Sequence, residues 1–147
     1  MPQPAVSVIV PSYNHAPFLR RRLDSIFNQT YQDFEVIILD DCSSDNSKEI
    51  IEQYRNRPQI SHIVYNEVNS GSPFKQWARG FDLAKGEYIW IAESDDSARK
   101  EFLETTVALM EKHPDCSLCF SGSHFIDSEG NDVDSLYRYD HWKENGK

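Results

Sequence analysis

Phe34-Glu35-Val36-Ile37-Ile38-Leu39-Asp40-Asp41 sets an almost unbroken apolar run against a sudden pair of carboxylates. A run this short and rich in β-branched residues predicts a buried strand. The polar cluster Asp40, Asp41, Cys42, Ser43 and Ser44 that follows predicts the start of a helix. Asn46 and Glu49 have capping-box spacing, and Ile50, Ile51 and Tyr54 supply an apolar stripe before Pro58 ends the element.

The same grammar repeats on both sides of this stretch. Upstream, Val6 to Val10 is an apolar run that Pro11 should close by removing a donor. Pro17 suits the first turn of a helix whose face is Leu19, Leu23, Ile26 and Phe27, with Arg20, Arg21 and Arg22 expected largely outside it. Downstream, Ile60 to Tyr65 reads as a third strand and Asn66 to Ser72 as a loop. Phe74, Trp77, Ala78 and Phe81 then mark a helix with a core-facing stripe, for which Gly86 is the expected C-cap. Tyr88 to Ala92 is a fourth strand, running into Glu93, Ser94, Asp95 and Asp96. A helix carrying Phe102, Thr106, Leu109 and Met110 stops near Pro114, and Cys116 to Phe120 reads as a fifth strand. Strands alternating with amphipathic helices predict an α/β fold, a mostly parallel sheet with helices on both faces. Past Ser121 the periodicity fades, Ser128 to Asn131 reads as a turn, and the tail to Lys147 reads as a single domain interrupted.

With 147 residues, 39% of them hydrophobic, the chain suffices for one domain with a real core. A net charge of -9 disfavours nucleic acid and anionic lipid as general partners, so a phosphate ligand would need a local counter-charge such as a divalent cation. The N-terminal apolar run is too short for a signal peptide or a membrane span, and three sparse cysteines suit a reducing compartment. Both point to the cytoplasm.

In open α/β sheets, ligands bind beyond the carboxyl ends of the strands, which selects three stretches. Pro11, Ser12, Tyr13 and Asn14 form a tight turn whose amides and phenol ring can hold a flat heterocycle; the competing reading is a plain strand-to-helix loop. Of Asp40 and Asp41, one can accept the imide N–H of a uracil-like base and the other cap a helix or approach a ribose hydroxyl. The cluster Glu93, Ser94, Asp95 and Asp96 offers hard oxygens for Mg²⁺ or Mn²⁺ beside a diphosphate, against a bland reading as a solvated acidic turn. All three fall at strand ends of one sheet, and together they describe a base, a ribose and a diphosphate with metal.

Val6 to Asn14, Gln29-Thr30-Tyr31 with Phe34 to Asp41, and Gly86 to Ile89 leading to Ser94-Asp95-Asp96 resemble the family 2 glycosyltransferases. The resemblance implies a GT-A, Rossmann-like fold and a nucleotide-diphosphate sugar donor, usually a UDP or dTDP sugar. It implies that Pro11, Tyr13 and Asp40 hold the base, that Asp95 lies near the ribose, and that Asp96 approaches a Mn²⁺ or Mg²⁺ ion. The implied reaction is an inverting transfer to an acceptor hydroxyl in polysaccharide or glycan biosynthesis. The acceptor would be a glycan or a lipid-linked sugar at the inner face of a membrane, and the catalytic base is expected beyond Lys147. Two departures stand out. Glu93 occupies a position that is usually Asp, and Trp77 occupies an expected arginine position, which leaves Lys75 or Arg79 to neutralise the diphosphate.

Two other classes compete: a non-catalytic nucleotide-sugar-binding module and a phospho-receiver signalling domain. The receiver would need its acidic pair after the first strand, where this chain has Pro11 to Asn14. Cys116 and Cys119 with His113 and His124 could suggest zinc, but residues three apart on a strand face opposite ways.

Overall fold

The computed structural model describes residues 3–133. The chain runs β1 (Val6–Ser12), α1 (Ala16–Phe27), β2 (Phe34–Asp40), α2 (Ser47–Tyr54), β3 (Ile60–Tyr65), α3 (Pro73–Leu83), β4 (Tyr88–Ile91) and α4 (Phe102–Lys112). All four strands are parallel, in the order β3-β2-β1-β4. The first three march one way across the sheet and β4 joins the other side of β1, so the winding reverses between β1 and β4.

Alternation along β1 and β2 divides the core. Val6, Val8, Val10, Val36 and Ile38 pack with Leu19, Leu23 and Ile26 of α1, Ile51 of α2, and Leu103 and Val107 of α4. Ile9, Ile37 and Leu39 point to the opposite face, where α3 ends against them with Leu83 and Ala84. Helices thus cover both faces, as the α/β reading requires.

Several local expectations change in three dimensions. β1 runs through Pro11 to Ser12, which pair with Leu39 and Asp40. The Ile9 carbonyl accepts from Ala92 and the Ser12 carbonyl from Asp41, so alternate residues of β1 address β4 and β2. The donor that Pro11 lacks would face the β4 side, where pairing has already ended at Ile9 and Ile91, so it costs no ladder bond. The α3 stripe is not core: Phe74 is 66% and Phe81 46% exposed, while Gln76 and Gly80 are the buried residues of that helix. Gly80 is what the contact demands, because a Cβ there would lie 2.5 Å from the Ile9 side chain. Gly86 is not the cap of α3, which ends at Leu83 and is capped by Ala84; a Cβ on Gly86 would stand 2.5 Å from the Ser7 backbone nitrogen, so this glycine permits close approach to β1.

The α2 N-terminus uses Asp45, not a box between Asn46 and Glu49. Its two carboxylate oxygens accept from the Ser47 and Ala16 N–H groups, tying the starts of α2 and α1 together. Cys116 to Phe120 forms no strand, and Leu118 and Phe120 are 77% and 74% exposed, without partners among the described residues to pair their backbone or cover their side chains. The turn near Ser128 is present, closed by an isolated bridge between Ile126 and Asp132; the remainder of the tail to Lys147 lies outside the described residues. Among the described residues no helix is long and apolar enough to cross a membrane.

Candidate functional site

The extra length of β1 beyond its partner β4 opens a crevice at the reversal of strand order, the position where such sheets bind ligands. A cleft of about 330 Å³ lies there. Pro11, Ser12, Tyr13 and His15 line one side, Glu93 and Ser94 the other, and Asp41, Asn69, Gln76 and the start of α3 close it. Tyr13 is 48% exposed, leaving its ring available to a flat ligand. His15 Nδ1 and Ser94 Oγ lie 2.6 Å apart and clasp the two sides. Two buried polar atoms of the lining, Ser12 Oγ and Gln76 Oε1, have no partner among the described residues, and neither has Asp40 Oδ1 behind them. Ser12 and Asp40 are register partners across β1 and β2. Unmet buried polar groups are costly, and their convergence at one cleft is a sign of a binding site.

At the end of β2 the two aspartates differ in use. Asp40, 3% exposed, accepts from the Ser43 N–H with Oδ2 and keeps Oδ1 free; it does not itself line the cleft. Asp41 is consumed by its own chain: it accepts from Asn66 Nδ2, from the Ser70 N–H and hydroxyl, and from Gln76 Nε2, at 2.6 to 2.9 Å. Burial works against its charge, but the Ser70 and Asn66 bonds outweigh that and hold its carboxyl below the ordinary value. Asn14, with a left-handed φ of 53°, bonds Ser43 and Ser44 and staples the first two strand-end loops together, outside the cleft lining.

The end of β4 is less settled. Glu93 Oε1 accepts the Trp77 indole N–H at 2.8 Å. Burial, reinforced by the charges of Asp95 and Asp96, pushes the Glu93 carboxyl above its usual range despite that bond. Asp95 and Asp96 are exposed, and neither lines the cleft itself. Arg22, expected on a solvated helix face, is instead 3% exposed: its Nε donates to the Glu93 carbonyl at 2.6 Å, its Nη2 lies 3.6 Å from Asp96, and its guanidinium sits over Trp90. Desolvation lowers its pKa to about 10, against the pull of Asp96, Asp95 and Glu93. A local signal is present, since Arg22 stands three residues after Leu19 and four before Ile26 on the buried face of α1, but the triplet Arg20 to Arg22 reads as one surface run. Behind this loop a hollow of about 900 Å³ separates Arg22 and Asp96 from α4 and residues 121–132.

Among the described residues no three His, Cys, Asp or Glu side chains are grouped to hold a metal by themselves. Two adjacent exposed carboxylates nonetheless fit Mg²⁺ or Mn²⁺, which take one or two carboxylates and complete their shell with water and phosphate oxygens. Cys116 and Cys119 form no such group, and all three cysteines are free. Lys75 turns its Nζ to the Ser70 carbonyl and Arg79 donates to Asn66, so neither reaches the cleft, and no Lys or Arg among the described residues lines it. The Gln29-Thr30 pair acts structurally. Gln29 donates to the Arg99 carbonyl and accepts from the Leu103 N–H, and Thr30 N–H donates to Lys100, which fixes the entry to α4 behind the acidic loop.

The sequence pattern of the glycosyl transferase family 2 matches residues 7–146. TuaG of Bacillus subtilis (strain 168), a glycosyltransferase named for teichuronic acid biosynthesis, is 33% identical over 91% of this chain and 52% of its own length. The poly(ribitol-phosphate) beta-N-acetylglucosaminyltransferase TarS of Staphylococcus aureus (strain Mu50 / ATCC 700699) is 37% identical over 73% of this chain and 19% of its own. Among solved structures, S. aureus TarS 1-349 in complex with UDP-GlcNAc superposes with a TM-score of 0.70 at 36% identity, over 74% of this chain and 32% of that one. The mannosyltransferase PcManGT from Pyrobaculum calidifontis, in complex with GDP-Man and Mn2+, gives 0.65 at 26% identity over 74% and 32%. The chain therefore spans about half of TuaG and smaller shares of the others. It belongs to glycosyl transferase family 2 and has the GT-A architecture of these neighbours, which sets the receiver reading aside.

Proposed function

We propose that this family 2 chain carries the donor-binding half of a glycosyltransferase that moves a sugar from a nucleotide diphosphate to an acceptor hydroxyl, with inversion, in cytoplasmic glycan or polysaccharide synthesis. The observation that carries this reading is the cleft at the β1–β4 reversal, with unmet polar atoms of Ser12 and Gln76 in its lining and an exposed carboxylate pair in the loop just past Ser94.

In this reading the nucleoside lies between Pro11, Ser12 and Tyr13 and the Ser94 side of the cleft. Asp40 Oδ1 accepts the imide N–H of a uracil base. The diphosphate extends toward Asp95 and Asp96, and the acceptor approaches through the hollow behind them, brought as a glycan or a lipid-linked sugar. Asp96, with Asp95, would hold a Mn²⁺ or Mg²⁺ ion, which when bound neutralises charge on the leaving diphosphate. The chain's own contribution is to orient: β1 and β4 set the base and acidic loop on opposite sides of one crevice. Arg22 keeps that loop in register through the Glu93 carbonyl. TarS complexes with UDP and UDP-GlcNAc support a uridine nucleotide as the first ligand to try.

Titration calorimetry with UDP and uridine, each with and without Mn²⁺, tests this. UDP affinity is expected to rise with Mn²⁺ and uridine affinity to stay flat. Asp96→Ala should abolish the metal response, at about 2 kcal/mol or more of UDP binding, while leaving the melting temperature nearly unchanged. UDP binding that ignores Mn²⁺ would remove the metal assignment, and no binding of any nucleotide would remove the reading itself.

A further inference from the structure

Trp77 and Glu93 belong to different elements, and the structure brings them together beside the cleft. They lie one turn into α3 and two residues past the end of β4, and the indole Nε1 donates to Glu93 Oε1 at 2.8 Å. The Phe74 ring stands edge-on to Trp77, 4.9 Å away at 77°, and limits how the indole can turn. Indole has a single N–H, so it can occupy only one carboxylate oxygen. An arginine at this position could have taken both in a bidentate pair and cancelled the charge. Here no cation occupies the second oxygen: Oε2 has no partner among the described residues, and no lysine or arginine among them lines the cleft that Glu93 faces. Such an acceptor suits a neutral hydroxyl better than a phosphate.

Building on the donor-binding reading above, we propose that Trp77 is a positioning residue: it fixes Glu93 so that Oε2 accepts a hydrogen bond from a hydroxyl of the bound nucleotide sugar. Recognition at this edge of the cleft then rests on a hydroxyl group, and the phosphate charge is met elsewhere. The pair acts as one unit, so removing either half removes the same interaction.

Binding of UDP, 2′,3′-dideoxy-UDP and a UDP-sugar, all with Mn²⁺, by wild type, Trp77→Phe, Glu93→Gln and the double variant tests this. Trp77→Phe keeps an aromatic ring on α3 but loses the N–H together with the five-membered half of the indole. Each single variant is expected to bind the hydroxyl-bearing ligand five- to twentyfold more weakly, with the double variant no worse than Glu93→Gln, because coupled residues are not additive. A loss that vanishes with dideoxy-UDP places the hydroxyl on the ribose, and a loss seen only with the UDP-sugar places it on the transferred sugar; either supports the proposal. A Trp77→His variant, which restores a ring N–H, should recover part of the affinity. Wild-type affinity in both single variants, or an equal loss for every ligand, overturns the proposal while leaving UDP binding itself intact. Failure of wild type to bind any of the three would instead overturn the donor-binding reading on which it rests.

Discussion

The carboxylates after β2 and those after β4 stand at equivalent ends of the same sheet and are treated in opposite ways. Asp41 is enclosed and receives four hydrogen bonds from the segment Asn66 to Gln76. Glu93 receives one from an indole, while Asp95 and Asp96 stay exposed beside a single buried arginine. A carboxylate whose acceptor sites are filled by its own chain can organise a loop but has little left for a ligand. One that is underprovided keeps its capacity to bind, at some cost in stability. Asp41 is therefore architecture that shapes the cleft, while the acids after β4, like Asp40 Oδ1 beside Asp41, keep acceptor capacity for a ligand.

On that division, Asp41→Ala is the most damaging change among these acids. It strands the buried Gln76 amide and the Ser70 N–H, and should cost about 3 kcal/mol in denaturant unfolding. A loss as small as that of a surface acid, about 0.5 kcal/mol, would erase the contrast.

Arg22→Met should sharpen it. Replacing a buried charge with an apolar chain of similar reach changes global stability by only about 1 kcal/mol, since desolvation of the guanidinium offsets much of its attraction to Asp96. The acidic loop, however, loses its tie to α1 through the Glu93 carbonyl. Amide exchange at Ala92 to Asp96 should accelerate while the Asn66 to Gln76 loop stays protected. Equal protection in variant and wild type would mean that β4 holds the loop unaided.

The smallest effect is in acid. Asp41, Asp45 and Glu35 all titrate below their ordinary values of 3.8, 3.8 and 4.5, each because hydrogen bonds to the charged form overcome burial. A depressed carboxyl stabilises the fold above its unfolded pKa, and that contribution drains away as pH falls through the lower folded value. Stability should therefore decline from about pH 4.5 downward, and less steeply in Asp41→Asn than in wild type. Parallel slopes in urea titrations across that window would show that Asp41 carries no proton linkage.

Much of this molecule was readable along the chain. The four strands, the order of the helices, and the placing of Pro11 to Asn14, Asp40 and Asp41, and Glu93 to Asp96 at strand ends follow from the hydrophobic period and from breaks in it. Those signals are local: they depend on neighbours within a few residues and survive without knowing what packs where. The same period misjudged α3, because Phe74 and Phe81 have helical spacing but the face that meets the sheet is set by Gly80, the one residue small enough to let the helix onto Ile9.

Tertiary structure alone decided the rest. That β4 joins the far side of β1, opening the cleft there, depends on crossover direction and not on any property of Tyr88 to Ile91 themselves. Arg22 meets the Glu93 carbonyl from 71 residues away, and Asp41 gathers partners 25 to 35 residues downstream. Ser7 and Glu35 form a buried pair that accepts from the N–H groups of Lys85 and Gly86, holding the start of β4 against β1. In each case the residue type is ambiguous by itself. An arginine in a helix or an acid after a strand reads as solvated until the sheet order and register bring a distant partner within 3 Å, and only then does the balance between desolvation and hydrogen bonding choose its role.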